Sequence, residues 1–298
     1  MAMRDQQTSL GPAYSSGARL ELPGSDLSAW RRRVELLRTL PDLGHIEVWL
    51  EEPMPGEAMV AALRKLLEGT RVLLQGPYLQ LSMISHHDLV RGAAAEVYRQ
   101  TLALADALDA PLVTLRAGTL PFLLAENRAL DQLAAMFAAL RATGCRAEPL
   151  LWGGVDSIAA GSNLRWGRVL ASPYPASLEE LRRALERMPE LRITLDVGTC
   201  VSGRQNWIAF LRSQAVRIAA IHLHDAEPGG AAELRLGMGA MDPFALARLL
   251  RALGFSGFVT LVTSEDEDTV ASWQLWRQAQ AEAAQETTAT LEAVRKPG

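Results

Sequence analysis

The stretch of sequence that decides the fold is residues 192–225, which read RITLDVGTCVSGRQNWIAFLRSQAVRIAAIHLHD. Apolar runs at 192–198 and 218–226 flank a segment at 205–213 whose apolar residues recur at helical spacing. We therefore predict a strand, a helix and a second strand. A helix between two strands indicates that the strands are parallel and joined by a right-handed crossover.

The same alternation extends along most of the chain. We predict strands at residues 18–22, 45–50, 71–78, 112–118, 146–152, 192–198, 218–226 and 258–263, each followed by an amphipathic segment. Eight such units favour a closed (β/α)8 TIM barrel, whose site lies at the carboxyl ends of the strands. A doubly wound open sheet is the alternative, but no glycine-rich phosphate loop follows the first strand. The long connection at 153–175 is typical of a functional lid or a contact in a homodimer.

The composition is that of a globular protein. The chain has 298 residues, 49% hydrophobic residues and a net charge of −4. We predict a flexible segment at 1–17, one barrel at 18–284 and a flexible tail at 285–298. The acidic balance argues against a nucleic-acid partner, and no apolar run is long enough to span a membrane. Cys145 and Cys200 fit neither a disulfide framework nor a zinc spacing, so we expect a cytoplasmic protein.

Polar side chains crowd the predicted mouth of the barrel. Residues two apart on a strand share a face, so the last inward position of each strand can be inferred. These positions are Glu47 or Trp49, Gln75, Arg116, Glu148, Asp196, His222 with His224, and Val262, with Trp152 close by. Lower positions on the same faces are small or apolar, such as Thr114 and Thr260. We therefore predict a pocket for a small-molecule substrate or ligand at this end.

Several short segments carry a resemblance to a known family. They are Arg192-Ile-Thr-Leu-Asp196-Val-Gly198, Ile221-His222-Leu223-His224-Asp225, Leu236-Gly237-Met238-Gly239 with Asp242, and Gly257. In this order they resemble the xylose-isomerase-like superfamily over about residues 18–280. The resemblance implies a TIM barrel acting as a sugar isomerase, a ketose 3-epimerase, an inosose dehydratase or an AP-type endonuclease.

The resemblance also implies a divalent metal between ligands on strands five to eight. Carried over by position, the ligands are Glu148, Asp196 and either His222 or His224, and the sequence does not choose between the two histidines. The fourth position, a Glu in the family, is Val262. Carboxylates and imidazole suit Mn, Co, Mg or Zn. With three ligands of four, the expectation is one such ion, its shell completed by water, substrate or Glu233, or no ion.

Arg116 is the second departure from the family's pattern. It takes the place of a histidine on strand four, as Gln75 does on strand three and Thr199 does after strand six. A multi-metal phosphodiesterase needs those histidines, so AP-endonuclease chemistry is disfavoured. A guanidinium at this position could replace the metal by pairing with Glu148 and Asp196, or could bind an anionic group of a substrate.

Two hypotheses for function follow. The first is an isomerase, epimerase or lyase acting by proton transfer on a small polyol, sugar or related metabolite. Its catalytic residues would be Glu148, Asp196, His222 and His224, and its substrate would contact Arg116, Gln75, Trp152 and Glu47. The second is a barrel that lost its metal site and binds a small molecule or protein partner without turnover. Position 262 discriminates between the two hypotheses. A valine there is neither a base nor a ligand, which favours the second.

Overall fold

A computed structural model describes residues 14–21, 27–50, 55–78, 81–121, 124–155 and 171–295. In these residues the strands are β1 Ser15–Glu21, β2 His45–Trp49, β3 Val72–Gln75, β4 Leu112–Leu115, β5 Thr119–Pro121, β6 Glu148–Gly153, β7 Ala171–Pro173, β8 Ile193–Asp196, β9 Ile218–Leu223 and β10 Phe258–Leu261. Parallel pairing closes a barrel in the order β1-β10-β9-β8-β6-β4-β3-β2, while β5 and β7 form a separate antiparallel pair. The predicted (β/α)8 barrel is confirmed.

Helices cover the outside of the barrel. They are α1 Leu27–Arg38, α2 Glu57–Leu66, α3 Asp88–Ala107, α4 Glu126–Arg141, α5 Leu178–Arg187, α6 Val197–Ser202, α7 Trp207–Gln214, α8 Pro243–Ala252 and α9 Asp266–Arg295, with a short 3-10 turn at Ala215–Arg217. Side chains cap two of these helices: Ser177 accepts a hydrogen bond from the Glu180 N–H, and Asp242 accepts from the N–H groups of Phe244 and Ala245. In the part of the chain that the structure describes, we find no helix with the length and apolarity needed to cross a bilayer.

The core has two parts. The larger lies between the strands and the helices and includes Trp273 and Trp276 of α9, both fully buried. The smaller lies inside the barrel near its amino end, where Leu73, Leu112 and Leu150 pack with neighbouring alanines. Above this layer the interior becomes polar, and the Thr114 and Thr194 hydroxyls are hydrogen bonded to each other at 2.7 Å. The apolar layer fills the amino end on the side of β3, β4, β6 and β9, while the buried His45 and the half-buried Ser15 lie on the side of β1 and β2.

Several predicted boundaries differ from the observed ones. β1 begins at Ser15, three positions before residue 18, because Ser15 pairs with Phe258 of the last strand. The strand predicted at 192–198 ends at Asp196, whose side chain caps α6. In the connection 153–175, residues 171–173 form β7, while 156–170 lie outside the described residues. The last helix continues to Arg295, past the predicted start of a tail at 285, and residues 1–13 of the predicted flexible segment lie outside the described part.

Candidate functional site

Four titratable side chains from three strands converge at the carboxyl end of the barrel. Glu47 comes from β2, Asp196 ends β8, His222 lies on β9 and His224 directly follows that strand. Asp196 and His222 are neighbours in the pairing of β8 with β9. All four are buried, with at most 4% of each residue exposed. We call these residues the acid–base cluster.

Asp196 is at the centre of the acid–base cluster. Its Oδ1 accepts hydrogen bonds from His224 Nε2 and from the Thr199 N–H, both at 2.9 Å, and its Oδ2 accepts from Trp152 Nε1 at 3.3 Å. Burial raises the pKa of Asp196, but His224, His222 and the Thr199 N–H favour the charged form more strongly, and the pKa lies well below its usual value. Asp196 is therefore an ionised carboxylate that also caps α6.

Glu47 and His222 form the second pair of the cluster. Both carboxylate oxygens of Glu47 lie 3.0 Å from His222 Nε2. Burial raises the pKa of Glu47, but His222 and a hydrogen bond from Thr260 outweigh that effect and lower it. An ionised carboxylate only accepts hydrogen bonds, so Nε2 of His222 carries a proton. His222 Nδ1 faces Asp196, with 3.9 Å between Nδ1 and Oδ2.

His224 has hydrogen-bond partners for both of its protonation states. Its Nδ1 lies 3.0 Å from the Asp225 carbonyl oxygen and 2.9 Å from the Glu233 N–H. The imidazolium donates to the carbonyl, and the neutral ring accepts from the N–H. Burial lowers the pKa of His224, but Asp196 raises it more, and the net shift is upward. His224 can therefore gain or lose a proton without leaving either of its ring nitrogens unsatisfied.

Aromatic and guanidinium groups stack along the other side of the mouth. The Arg116 guanidinium lies between the rings of Tyr78 and Trp152, 3.8 Å from each centroid. Trp49 stacks on Tyr78 with 5.8 Å between ring centroids, and Arg19 lies 4.9 Å from the Trp49 ring. This cation–π stack was not predicted, because it joins residues that are distant in sequence. No residue of the first strand was predicted at the mouth, although Arg19 lies there.

Arg19 connects this stack to the loop after β9. Its Nη2 lies 3.2 Å from Glu233 Oε2, and Glu21 is a second partner. Gln75 lies beside Trp49 in the pairing of β2 with β3 and is 1% exposed. Among the described residues, Gln75 Oε1, Trp49 Nε1 and Arg19 Nε are buried without a hydrogen-bond partner. Buried polar atoms of this kind are normally satisfied, so this side of the mouth is suited to a polar ligand.

The structure does not bring Glu148 into the acid–base cluster. Glu148 is the first residue of β6, it pairs with Arg192 at 2.9 Å, and the strand runs on to Gly153. The prediction that Glu148 lies at the carboxyl end is wrong, because its row of inward residues extends further and ends at Trp152. Trp152 therefore takes the position beside Asp196. Glu148 and Asp196 therefore lie at different levels of the barrel. Arg116 cannot pair with both of them, contrary to the prediction.

The observed side chains do not fit the metal site implied by the resemblance. Both oxygens of Asp196 already accept hydrogen bonds, Nε2 of His222 donates to Glu47, and Glu233 is paired with Arg19. Val262, at the fourth ligand position, is buried and apolar. In the ranges that the structure describes, no group of three or more His, Cys, Asp or Glu side chains could hold a metal ion. The donors are engaged with one another rather than directed at a common point.

The comparisons with known proteins agree with the architecture. The family described as xylose isomerase-like TIM barrel matches residues 32–292, and the chain belongs to that family. A D-tagatose 3-epimerase-like protein has a similar structure, with a TM-score of 0.71 and 18% identity over 92% of this chain and 99% of that one. No curated protein matches the chain.

Two further solved structures, both from Thermus thermophilus, are similar. The TTHB071 protein, soaked with ZnCl2, has a TM-score of 0.66 and 21% identity over 90% of this chain and 98% of that one. Endonuclease IV from the same organism has a TM-score of 0.64 and 18% identity over 90% of this chain and 99% of that one. At identities this low, structural similarity shows the fold alone. The chemistry has to be argued from the side chains of the site.

Proposed function

We propose that this protein is an isomerase or epimerase that moves a proton on a small sugar, polyol or related metabolite at the mouth of the barrel. The observation that supports it is the acid–base cluster, in which two carboxylate–histidine pairs lie side by side and buried. Proton exchange next to a carbonyl requires a base and an acid held close to one carbon. The similarity to a D-tagatose 3-epimerase-like protein is in keeping with this class of reaction.

His222 is the base in this proposal. Glu47 holds the Nε2–H of His222 through both oxygens, which leaves the lone pair on Nδ1. A carboxylate in this position fixes the tautomer and stabilises the imidazolium that forms when Nδ1 takes a proton. The Asp196–His224 pair lies on the Nδ1 side and serves as the second acid–base unit, since His224 is satisfied in both protonation states.

The cation–π stack and its neighbours hold the substrate. A hydroxyl group can donate to Gln75 Oε1 and accept from Trp49 Nε1 or Arg19 Nε, the three buried atoms without partners among the described residues. Hydroxyl groups both donate and accept, so a polyhydroxylated substrate suits this mixed set. Arg116, fixed between two rings, adds positive charge for a carbonyl oxygen or an anionic substituent.

Deuterium incorporation tests the proposal directly. The protein is incubated with a panel of ketoses and inososes in D2O, and label at carbon is followed by NMR and mass spectrometry. We expect Glu47→Gln to reduce the rate by about 10²–10⁴-fold, because the variant no longer stabilises the imidazolium of His222. Glu148→Gln is the matched control and keeps the wild-type rate, since it lies at the opposite end of the strand. Equal loss in both variants contradicts the site.

The metal is tested separately. Metal content is measured by inductively coupled plasma mass spectrometry on wild type and on Asp196→Ala, and the deuterium assay is repeated after chelation and after adding Mn, Co or Zn. Because the candidate ligands are already hydrogen bonded or ion paired within the protein, we expect the activity to survive chelation. One equivalent of metal that is lost in Asp196→Ala would show that Asp196 binds an ion and would contradict this expectation.

A binding protein without turnover is the second candidate. It is favoured by Val262, a buried valine that is neither a base nor a ligand, at the position where the resemblance implies a Glu. Isothermal titration calorimetry with the same panel separates the two. A ligand that binds but takes up no deuterium in D2O favours the binding protein, whereas labelling of the bound compound favours the enzyme.

A further inference from the structure

A row of polar side chains leads from the acid–base cluster into the barrel interior, away from the mouth. Thr260 of β10 lies beside His222 in the pairing of β9 with β10, its hydroxyl helps to lower the pKa of Glu47, and its Oγ1 lies 3.0 Å from His45 Nε2. His45 Nδ1 lies 2.9 Å from Ser15 Oγ, at the first residue of β1. His45 and Thr260 are fully buried, whereas Ser15 is half-buried at the amino end of the barrel.

The direction of each hydrogen bond follows from its partners. The Glu47 carboxylate only accepts, so the Thr260 hydroxyl donates to it. Thr260 then accepts from His45 Nε2–H, which leaves the lone pair on Nδ1 to accept from the Ser15 hydroxyl. All donors therefore point towards Glu47.

A glycine in β1 makes this path possible. β1 lies between β2 and β10, and Gly17 pairs with both His45 and Thr260. A Cβ on Gly17 would overlap with the His45 ring. The ring can reach Thr260 across the strand only because this position has no side chain.

We propose that Ser15, His45 and Thr260 form a proton pathway along the barrel axis, linking the Glu47–His222 pair to solvent at the amino end. A proton from water binds Ser15 Oγ as Ser15 passes its own proton to His45 Nδ1. His45 releases its Nε2 proton to Thr260, and Thr260 passes its proton to Glu47. One proton enters and one arrives, every intermediate group keeps its proton count, and His45 changes tautomer. The pathway allows the cluster to exchange protons with solvent while a substrate fills the mouth. This role rests on the proposed function, whereas the pathway itself does not.

The pathway is tested without substrate, by NMR on the full chain labelled with 15N-histidine. The chain has five histidines, so the His222 Nε2–H signal can be assigned by substitution. We expect Thr260→Val to slow exchange of this proton with water by about tenfold or more, because Glu47 and His222 are each 1% exposed and exchange must then wait for local opening of the mouth or the barrel. Thr260→Ser keeps the hydroxyl and retains the wild-type rate.

Thr114→Val is the matched control, because it removes a buried hydroxyl of the Thr114–Thr194 pair without touching the pathway. An unchanged rate in Thr260→Val, or equal slowing in Thr114→Val, overturns the proposal. A general loosening of the fold would make this proton exchange faster, whereas loss of the pathway makes it slower, so the two effects can be told apart. If Thr260→Val does not fold, Ser15→Ala at the half-buried end gives the same test. If Thr260→Val slows exchange but the wild type shows no isomerase activity, the result supports the pathway. It then counts only against the proposed function.

Discussion

At the scale of single residues, His45 is a histidine whose pKa is strongly lowered by burial. Burial lowers the pKa of His45 from 6.5 to about 4, despite the opposing effect of Glu47. Above pH 6.5 the ring is neutral in both the folded and the unfolded chain. As the pH falls, the unfolded chain binds a proton that the folded chain does not, so the folded state loses stability.

We predict that His45 makes the protein sensitive to mild acid. Its contribution to the loss of unfolding free energy is about 1.4 kcal/mol per pH unit, or about 3 kcal/mol between pH 6.5 and pH 4. Urea denaturation of wild type and His45→Gln at several pH values measures it. The wild type should lose stability faster as the pH falls, and parallel curves would show that His45 is not the group responsible.

Gly198 is a second residue with a specific role. It lies in α6 two residues after the Asp196 cap, and a Cβ at this position would overlap with the His224 ring. We predict that Gly198→Ala displaces His224 from Asp196, shifts the 15N signals of His224 and abolishes the proposed activity. Gly92→Ala is the control, since nothing lies within 4 Å of its added Cβ, and this helix substitution should stabilise by up to about 1 kcal/mol. Unchanged His224 signals in Gly198→Ala refute the contact.

At the scale of elements, the alternation of strands and helices was readable from the sequence, and their register was not. A period of two identifies the inward row of β6 but does not say which residue of the row lies level with Asp196. Glu148 and Trp152 lie on the same row, and only the pairing of Trp152 with Thr194 places the tryptophan beside Asp196. Asp196, His222 and Glu47 were placed at the mouth because each lies at or near the end of its predicted strand.

The remaining parts of the site depend on contacts between distant elements. Arg116 is held by two rings from β6 and the loop after β3, and the pathway joins Ser15 and Thr260, which are 245 positions apart in sequence number. Local patterns carry no signal for such contacts. The one available clue was the spacing of His45 and Glu47, which places two titratable side chains on the same face of a strand otherwise filled with apolar residues.

At the scale of the whole molecule, closure of the barrel depends on the first and last segments of the chain. β1 pairs with β10, and α9 packs behind this seam. Trp276 of α9 is fully buried, and its Nε1 donates to Ser16 Oγ at 3.1 Å, while Gln280 Nε2 donates to the same oxygen at 3.0 Å. The last helix thus fixes the strand that carries Ser15, Gly17 and Arg19, all of which contribute to the interior or the mouth.

We therefore predict that Trp276→Ala costs about 3–5 kcal/mol of unfolding free energy, the range for removing a buried aromatic side chain. Gln274→Ala, an exposed position on the same helix, should change it by no more than about 0.5 kcal/mol. Urea denaturation gives both values. Because α9 supports β1, the loss should extend to the site, so hydrogen exchange of the β1 amides should speed up in Trp276→Ala while the amides of β6, on the far side of the barrel, change less. Equal acceleration in both strands would mean that the barrel opens as one unit and that the seam between β1 and β10 is not its weakest point.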